Sequence, residues 1–308
     1  MTIAILCSGQ GVQHRDMFAL SADAPQAAGV FAAAVAALGA DPRAFVREAD
    51  EAAINANAGG QILCVTQALA AFAALGDALG ARKAIAGYSI GELAAWGCAG
   101  LYSPAAIIDL ARQRALLMDA ASGPDDGLAF VRGLPRERID RLCARHHCDV
   151  AIINPGHMFV IGGARPMLSA VCDEALRSGA TKAGALKVNV ASHTPRLKDA
   201  SARFREALAA QETLPRASGA RLFSGVDAAA VLNVKEGQAK LAAQISHAID
   251  WAGCLEACVE AGADAFLELG PGAALAAMAS EAYPNIPARS LEDFRSLAGA
   301  RSWLARAS

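Results

Sequence analysis

The segment Gly87–Gly91 places Ser89 between two glycines in the pattern G-x-S-x-G. A short apolar run, Ala84–Ala86, precedes it, and a helical pattern over Ile90–Cys98 follows it. On such a sharp strand-to-helix turn the serine hydroxyl projects outward, and side chains larger than glycine would collide across the turn. The helix directs its N–H groups and positive dipole end towards an oxyanion formed at the serine. The pattern predicts that Ser89 is the nucleophile of an acyl-transfer reaction; the alternative is a glycine-flanked turn with an incidental serine.

An oxyanion generally needs a second backbone N–H from another loop. The segment Ser8–Gly11 follows a candidate strand over Ile3–Cys7, and its two glycines allow the main chain to approach another element closely. We therefore predict an oxyanion hole formed by the N–H groups of Gln10 and Ile90, although Gly-Gln-Gly alone suits an ordinary strand-to-helix turn equally well. Glu92, in the first turn after Ser89, is interpreted as a carboxylate that complements the helix dipole.

A serine nucleophile needs a general base, which is most often a histidine. The chain has six: His14, His146, His147, His157, His193 and His247. His146 and His147 end a polar helical pattern and are expected in solvent, while His157 lies in a predicted hairpin turn. His193 stands at a strand end just before a predicted helix, a junction where α/β sheets place functional residues. We predict that His193 is the base; the alternative is a helix cap, a role that Ser192 or Thr194 could fill.

An arginine lies on the apolar face of the helix predicted from Pro104 to Ala121. Arg114 falls between Ala111 and Met118 at helical spacing, so it points where the apolar residues point. A buried guanidinium needs an anion to offset its desolvation. Two partners fit: a buried Asp or Glu, or a substrate carboxylate held by two parallel hydrogen bonds.

The elements that must position these residues follow an α/β pattern, in which short Val-, Ile- and Leu-rich runs alternate with longer helical patterns. One such helix is predicted over Ala68–Leu79. Residues 126–189 differ, because their order βαββαβ is the ferredoxin-like arrangement. Its predicted elements are strands over Leu128–Arg132, Val150–Ile153, Met158–Ile161 and Leu186–Val190, with helices over Arg136–His146 and Pro166–Ser178. We predict a large α/β-hydrolase-like domain of residues 1–125 and 190–308 with this subdomain inserted.

The 308 residues are 54% hydrophobic and 19% charged with a formal net charge of -2, which indicates a sizeable core and disfavours nucleic-acid binding. The longest apolar run, Ala27–Ala40, is too short to span a membrane. Met1–Leu6 has no basic segment before it and favours a first strand over a signal peptide. Eight scattered cysteines without a C-x-x-C pair favour reduced thiols in the cytoplasm and no metal site.

Several ordered motifs together resemble, from end to end, the malonyl-CoA:acyl-carrier-protein transacylases and the related acyltransferase domains of fatty acid and polyketide synthases. These motifs are Gly9–Gln13 for G-Q-G-x-Q, Gly87–Glu92 for G-H-S-x-G-E, Arg114 for the carboxylate-binding arginine, Ser192-His193 for the catalytic histidine, Gln244 ahead of Trp251, and Gly270–Gly272 for a late G-P-G turn. The family has the same inserted ferredoxin-like subdomain.

The resemblance implies an enzyme that needs no bound cofactor and transfers malonyl from malonyl-CoA to the phosphopantetheine thiol of an acyl carrier protein. Ser89 would carry the acyl group, His193 would move the proton, and the amides of Gln10 and Ile90 would hold the oxyanion. Arg114 would bind the malonyl carboxylate, and the backbone carbonyl of Gln244 would orient His193 in a Ser-His dyad.

One residue departs from the family pattern, because Tyr88 stands where the family usually has histidine. This variant resembles the transacylase subunit of malonate decarboxylases, whose partner is a carrier-protein subunit. Two other functions remain open. An ordinary α/β-hydrolase-type serine hydrolase or thioesterase should carry an HGGG-like oxyanion motif, which this sequence lacks. A non-catalytic subunit that docks a carrier protein would not need Ser89, Arg114 and His193.

Overall fold

The computed structural model describes residues 2–307, which form two five-stranded sheets and the helices that pack on them. The strands are β1 (Thr2–Cys7), β2 (Arg82–Gly87), β3 (Asp126–Arg132), β4 (Asp149–Asn154), β5 (Met158–Ala164), β6 (Lys182–Ala185), β7 (Ala220–Leu222), β8 (Ile249–Asp250), β9 (Ala265–Leu269) and β10 (Ala288–Ser290). The α-helices are α1 (Ala28–Leu38), α2 (Pro42–Glu48), α3 (Glu51–Asn55), α4 (Asn57–Leu75), α5 (Ile90–Cys98), α6 (Pro104–Ala121), α7 (Arg136–Arg145), α8 (Arg165–Arg177), α9 (Lys198–Ala210), α10 (Val234–Ala243), α11 (Trp251–Glu260), α12 (Ala274–Ala282) and α13 (Leu297–Ala307). Short 3₁₀ segments cover Pro25–Ala27, Gly76–Leu79, Pro195–Leu197 and Leu291–Asp293.

The first sheet is parallel throughout, in the order β10-β9-β1-β2-β7. Every residue of β1 and β9 is buried, which explains why both are predominantly apolar instead of alternating, although β9 contains the buried Glu268. Neighbouring strands β1 and β2 run in register from Thr2 beside Arg82 to Cys7 beside Gly87. The loop after β1 and the turn after β2 therefore leave the same edge of the sheet side by side.

The second sheet has the order β6-β3-β5-β4-β8 and is antiparallel except where β8 joins β4. Its elements follow the predicted order βαββαβ, but the predicted last strand over Leu186–Val190 is wrong. The strand is Lys182–Ala185, paired with β3. The alternation in residues 186–190 serves packing instead, since Val188 and Val190 lie against the core beneath the first sheet. The two-residue strand β8 was not predicted.

Helix α4 begins at Asn57, eleven residues before the predicted start at Ala68, and residues 76–79 continue it as a 3₁₀ turn. The residues before Ala68 were not assigned to an element; they include Gly59-Gly60, and Gln61, Thr66 and Gln67 are buried within the helix and hydrogen-bonded. Within residues 2–307, Asn57–Leu79 is long and apolar enough to cross a membrane, as is the bent pair Pro25–Leu38 with Pro42–Glu48 if counted as one span. However, 72% of the apolar 18-residue window within Asn57–Leu79 is buried in the protein, as expected of a core helix.

The predicted bounds of α5 and α6 are confirmed. Helix α6 begins as its sequence indicates, because the Ser103 hydroxyl accepts a hydrogen bond from the N–H of Ala106 and Pro104 occupies the first turn. Its buried face includes Ala111, Met118 and, between them, Arg114. The helix therefore places the guanidinium of Arg114 in the interior of the protein.

Candidate active site

Ser89 lies at a strained turn between β2 and α5. Its backbone has φ 55° and ψ -119°, a conformation that L-residues rarely adopt. A Cβ atom on Gly91 would lie 2.0 Å from the carbonyl oxygen of Cys7, and one on Gly87 would lie 2.2 Å from the backbone of Gly91. Both positions therefore require glycine, which confirms the steric reading of the G-x-S-x-G pattern.

His193 meets the hydroxyl of this serine. Its Nε2 lies 2.8 Å from Ser89 Oγ, and its Nδ1 lies 2.6 Å from the backbone oxygen of Gln244. Because a carbonyl can only accept a hydrogen bond, Nδ1 carries the proton and Nε2 presents its lone pair to the serine. This geometry suits a general base that removes the hydroxyl proton.

The environment of His193 keeps its ring neutral. The residue is almost completely buried, and burial together with the nearby charge of Arg114 lowers its pKa from 6.5 to about 3. Neutral imidazole is the form that can accept a proton from a hydroxyl. The other histidines lie elsewhere: His157 is exposed in its hairpin turn, and His146, expected in solvent, is half-buried beside Glu174.

We expect the His193 ring to remain neutral from pH 8 down to pH 5. Its pKa is depressed, so below pH 6.5 the unfolded chain binds a proton that the folded protein does not, and the free energy of unfolding falls as the pH falls through that range. Nitrogen-15 NMR of imidazole-labelled protein, assigned with His193→Gln, measures the protonation directly. A midpoint near pH 6.5 for this ring would contradict the buried geometry.

Arg114 is buried, with only 2% of its surface exposed. It nevertheless makes no ion pair with a carboxylate in the described range 2–307. Its guanidinium donates to two neutral amide oxygens, Gln61 Oε1 at 2.7 Å and Gln244 Oε1 at 3.1 Å. Burial lowers its pKa to about 10, so it keeps its charge at neutral pH. Of the two partners considered above, a buried acid is present as Glu92, whose charge acts on Arg114, but none of the described residues hydrogen-bonds a carboxylate to the guanidinium. The guanidinium retains N–H groups for another acceptor.

Gln10 and Ile90 lie in the two segments that meet at Ser89. Ile90 is the first residue of α5, and Gln10 lies in the loop after β1. That loop packs against the turn, since a Cβ on Gly9 would lie 3.0 Å from the oxygen of Tyr88 and 3.7 Å from Ser89 Cβ. No hydrogen bond within residues 2–307 engages the backbone N–H of Gln10 or Ile90, so both remain available as donors.

An open cleft reaches this loop. It has a volume of about 1050 Å³, and its lining includes Gln10, Gly11, Asn57, Lys187 and Val190. A second cavity of about 420 Å³ is also lined by Gln10, together with Tyr88, Phe130, Met158 and Met278. Cavities of this size are typical of small-molecule sites. No group of three or more metal-ligating side chains occurs in the described part of the chain.

The profile of the acyl transferase domain family matches residues 5–297. The chain belongs to this family. Among similar members, the malonyl CoA-acyl carrier protein transacylase of Salmonella typhimurium is 26% identical over 309 residues, covering 96% of this chain and 98% of that protein. The corresponding protein of Haemophilus influenzae is 28% identical over 314 residues, covering 98% of both chains.

Solved structures of the family have the same fold. The acyl-carrier-protein S-malonyltransferase of Burkholderia pseudomallei matches with a TM-score of 0.91 and 27% identity, over 98% of this chain and all of the other. A malonyl-transacylase solved in complex with a type II polyketide synthase acyl-carrier protein matches with a TM-score of 0.91 and 26% identity, over 98% and 99% of the two chains. Family membership and the mixed α/β fold with two sheets are thereby established.

Three features of this acyl transferase site were not foreseen. Gln61 supports Arg114 from the first part of α4, which was not assigned to an element from the sequence. The Gln244 side chain bonds Arg114 through its oxygen and both Ser89 O and Glu92 through its nitrogen. Glu92, expected only to complement a helix dipole, is fully buried, and burial raises its pKa to about 7. Buried polar partners from distant segments leave no local sequence signal.

Proposed function

We propose that this protein transfers a malonyl group from malonyl-CoA to the phosphopantetheine thiol of an acyl carrier protein, through a malonyl ester on Ser89. The observation that carries the proposal is the 2.8 Å contact between Ser89 Oγ and the neutral His193, with the unpaired charge of Arg114 buried beside them. The names of the similar transacylases support the malonyl group and the carrier protein.

Acylation begins when Ser89 Oγ attacks the thioester carbon while His193 Nε2 takes the hydroxyl proton. The N–H groups of Gln10 and Ile90 donate to the oxyanion that forms. As the tetrahedral intermediate collapses, the carbon–sulfur bond breaks and CoA leaves with the proton from His193. In the second half-reaction the carrier thiol gives its proton to His193 and attacks the ester, and Ser89 recovers its proton.

Transfer to a thiol can be tested against loss to water. We expect purified protein mixed with malonyl-CoA and a phosphopantetheine-bearing acyl carrier protein to yield the malonyl carrier and free CoA in equal amounts, as read by intact mass. Without the carrier, a malonyl-enzyme should persist. Rapid release of free malonate in both mixtures would instead identify a thioesterase, and the absence of any acyl-enzyme would identify a docking subunit.

Arg114→Ala should remove the preference for malonyl-CoA. Two charge-assisted hydrogen bonds to a carboxylate in a buried site are worth roughly 100-fold or more in kcat/KM. Acetyl-CoA has no carboxylate, so its rate should change little. Arg112→Ala is the matched control, since Arg112 lies on the same helix but faces outward and pairs with Asp109. An equal loss with both substrates would contradict a carboxylate-binding role.

Within this function we propose the carrier subunit of malonate decarboxylase as the partner, because Tyr88 in the nucleophile motif resembles the transacylase subunit of that enzyme. The Tyr88 ring packs edge-on against Trp251, with ring centroids 5.4 Å apart, and it lines the 420 Å³ cavity beside the serine. Burial raises its pKa to about 12, so its hydroxyl is neutral at pH 7. Competition between a fatty-acid carrier protein and a malonate decarboxylase carrier subunit for the malonyl group discriminates the two partners.

We also propose the domain division 1–125 and 190–308 for a large α/β-hydrolase-like domain and 126–189 for a ferredoxin-like subdomain. The strand order β6-β3-β5-β4 within a βαββαβ segment supports the second description, and the parallel first sheet with its nucleophile turn supports the first. A cytoplasmic location fits the eight cysteines, all of which are buried free thiols.

A further inference from the structure

A buried carboxylate that the mechanism above does not use lies behind Ser89. Glu92 is completely buried, its Oε2 accepts a hydrogen bond from Gln244 Nε2 at 2.7 Å, and its Oε1 has no partner among residues 2–307. The backbone of Gly225 packs against it, since a Cβ there would lie 2.7 Å from Oε2. An incompletely paired buried carboxylate lowers stability. This cost indicates that Glu92 serves something other than the stability of the fold.

The amide of Gln244 connects Glu92 to the catalytic groups. Its nitrogen donates to Glu92 Oε2 and, at 2.9 Å, to the backbone oxygen of Ser89, while its oxygen accepts from Arg114 at 3.1 Å. A primary amide has one donor end and one acceptor end. If the two ends exchanged places, the amide nitrogen would face the guanidinium, and two donors would oppose each other. Because Glu92 Oε2 accepts from the amide nitrogen, Glu92 helps to determine which end of the amide faces Arg114.

The charges of Arg114 and Glu92 also support a link between these two residues. Arg114 has hydrogen bonds to two neutral amides, and Glu92 is the acidic group that acts on its charge from the far side of Gln244. A counter-charge held at the distance of one amide reduces the desolvation cost of the guanidinium without occupying its N–H groups. A carboxylate in direct contact would have to be displaced by the substrate.

We propose that Glu92 is a positioning residue that acts through Gln244 to hold Arg114 in the orientation that receives a substrate carboxylate. The inference rests on the proposed malonyl transfer. Under this proposal Glu92 contributes to the selection of the acyl group. Ser89 and His193 carry out the bond formation and the proton transfer for every acyl group. Glu92 therefore affects only substrates that carry a terminal carboxylate, the group that Arg114 binds.

The test compares malonyl-CoA with acetyl-CoA in two variants. Glu92→Leu removes both the charge and the acceptor, and we expect it to lower the ratio of kcat/KM for malonyl-CoA to that for acetyl-CoA about tenfold, mainly through a higher KM for malonyl-CoA. Glu92→Gln retains an acceptor for Gln244 and should recover part of the ratio. Glu174→Gln, a charge removal at a distant pair with Arg145 and His146, should leave the ratio unchanged.

A double-mutant cycle with Arg114→Ala separates positioning from a general loss of structure. In the Arg114→Ala background, Glu92→Gln should not change the ratio further. Equal losses for both substrates, or an unchanged ratio in both Glu92 variants of an enzyme that still forms the malonyl ester, would overturn the inference alone. Failure of wild type to form the ester would overturn the proposed function as well. If circular dichroism shows that Glu92→Leu does not fold, the isosteric Glu92→Gln decides the question.

Discussion

Ser89→Ala should abolish the covalent malonyl-enzyme completely. The alanine retains the backbone of the strained turn and loses only the hydroxyl that contacts His193 at 2.8 Å. Without that oxygen no ester can form, and the enzyme cannot follow the two-step path. Incubation with malonyl-CoA followed by intact-mass measurement should show one added malonyl group on wild type and none on the variant.

The Ser89→Ala protein should remain folded. The variant removes one side-chain hydrogen bond, which is worth about 1 kcal/mol in the free energy of unfolding. Ser178→Ala, at an exposed hydroxyl that accepts from Arg138, is the control and should acylate like wild type. A malonyl adduct of normal yield on the Ser89→Ala protein would place the nucleophile elsewhere and would remove the basis of the proposed function.

Local signals in the sequence account for the parts of the site that were predicted correctly. Glycine spacing identified the turn at Ser89 because steric exclusion acts between residues that are close in the chain. The start of α6 followed from Ser103 and Pro104, and that start determined that Arg114 faces inward. The contact between Ser89 and His193 spans 104 positions, and it was expected from chemistry and family resemblance, since no local pattern encodes it.

The errors have a common physical origin in tertiary contacts. Helix α4 extends through Gly59-Gly60 because its buried polar side chains find partners on other elements, such as Arg114 for Gln61. The alternating residues 186–190 resemble a strand, but their apolar members pack into the core. Strand β8 has only two residues and exists because β4, about a hundred positions earlier, offers an edge. The sequence of each segment contains no information about the tertiary contact that determines its conformation.

His193→Ala should slow acylation of Ser89 by about 10²–10⁴-fold, the range over which a positioned general base contributes. The serine and both oxyanion donors would remain, so the malonyl ester should still form, only slowly. Stopped-time intact-mass measurement of the malonyl-enzyme gives the rate. His247→Ala is the matched control, because among the described residues that exposed ring bonds only its own segment, through Ser246 and the backbone oxygen of Ala243.

Imidazole in solution offers a stricter test of the same role. A cavity of about 390 Å³ adjoins His193 on the side of Cys148, Pro195 and Ser246, so truncation to alanine would open a continuous space that a free imidazole can enter. The backbone oxygen of Gln244 would still be present to orient a bound ring. We expect imidazole to raise the acylation rate of His193→Ala and to leave Ser89→Ala inactive. An acylation rate for His193→Ala within about threefold of wild type would exclude His193 as the base, since proton removal would then proceed without it.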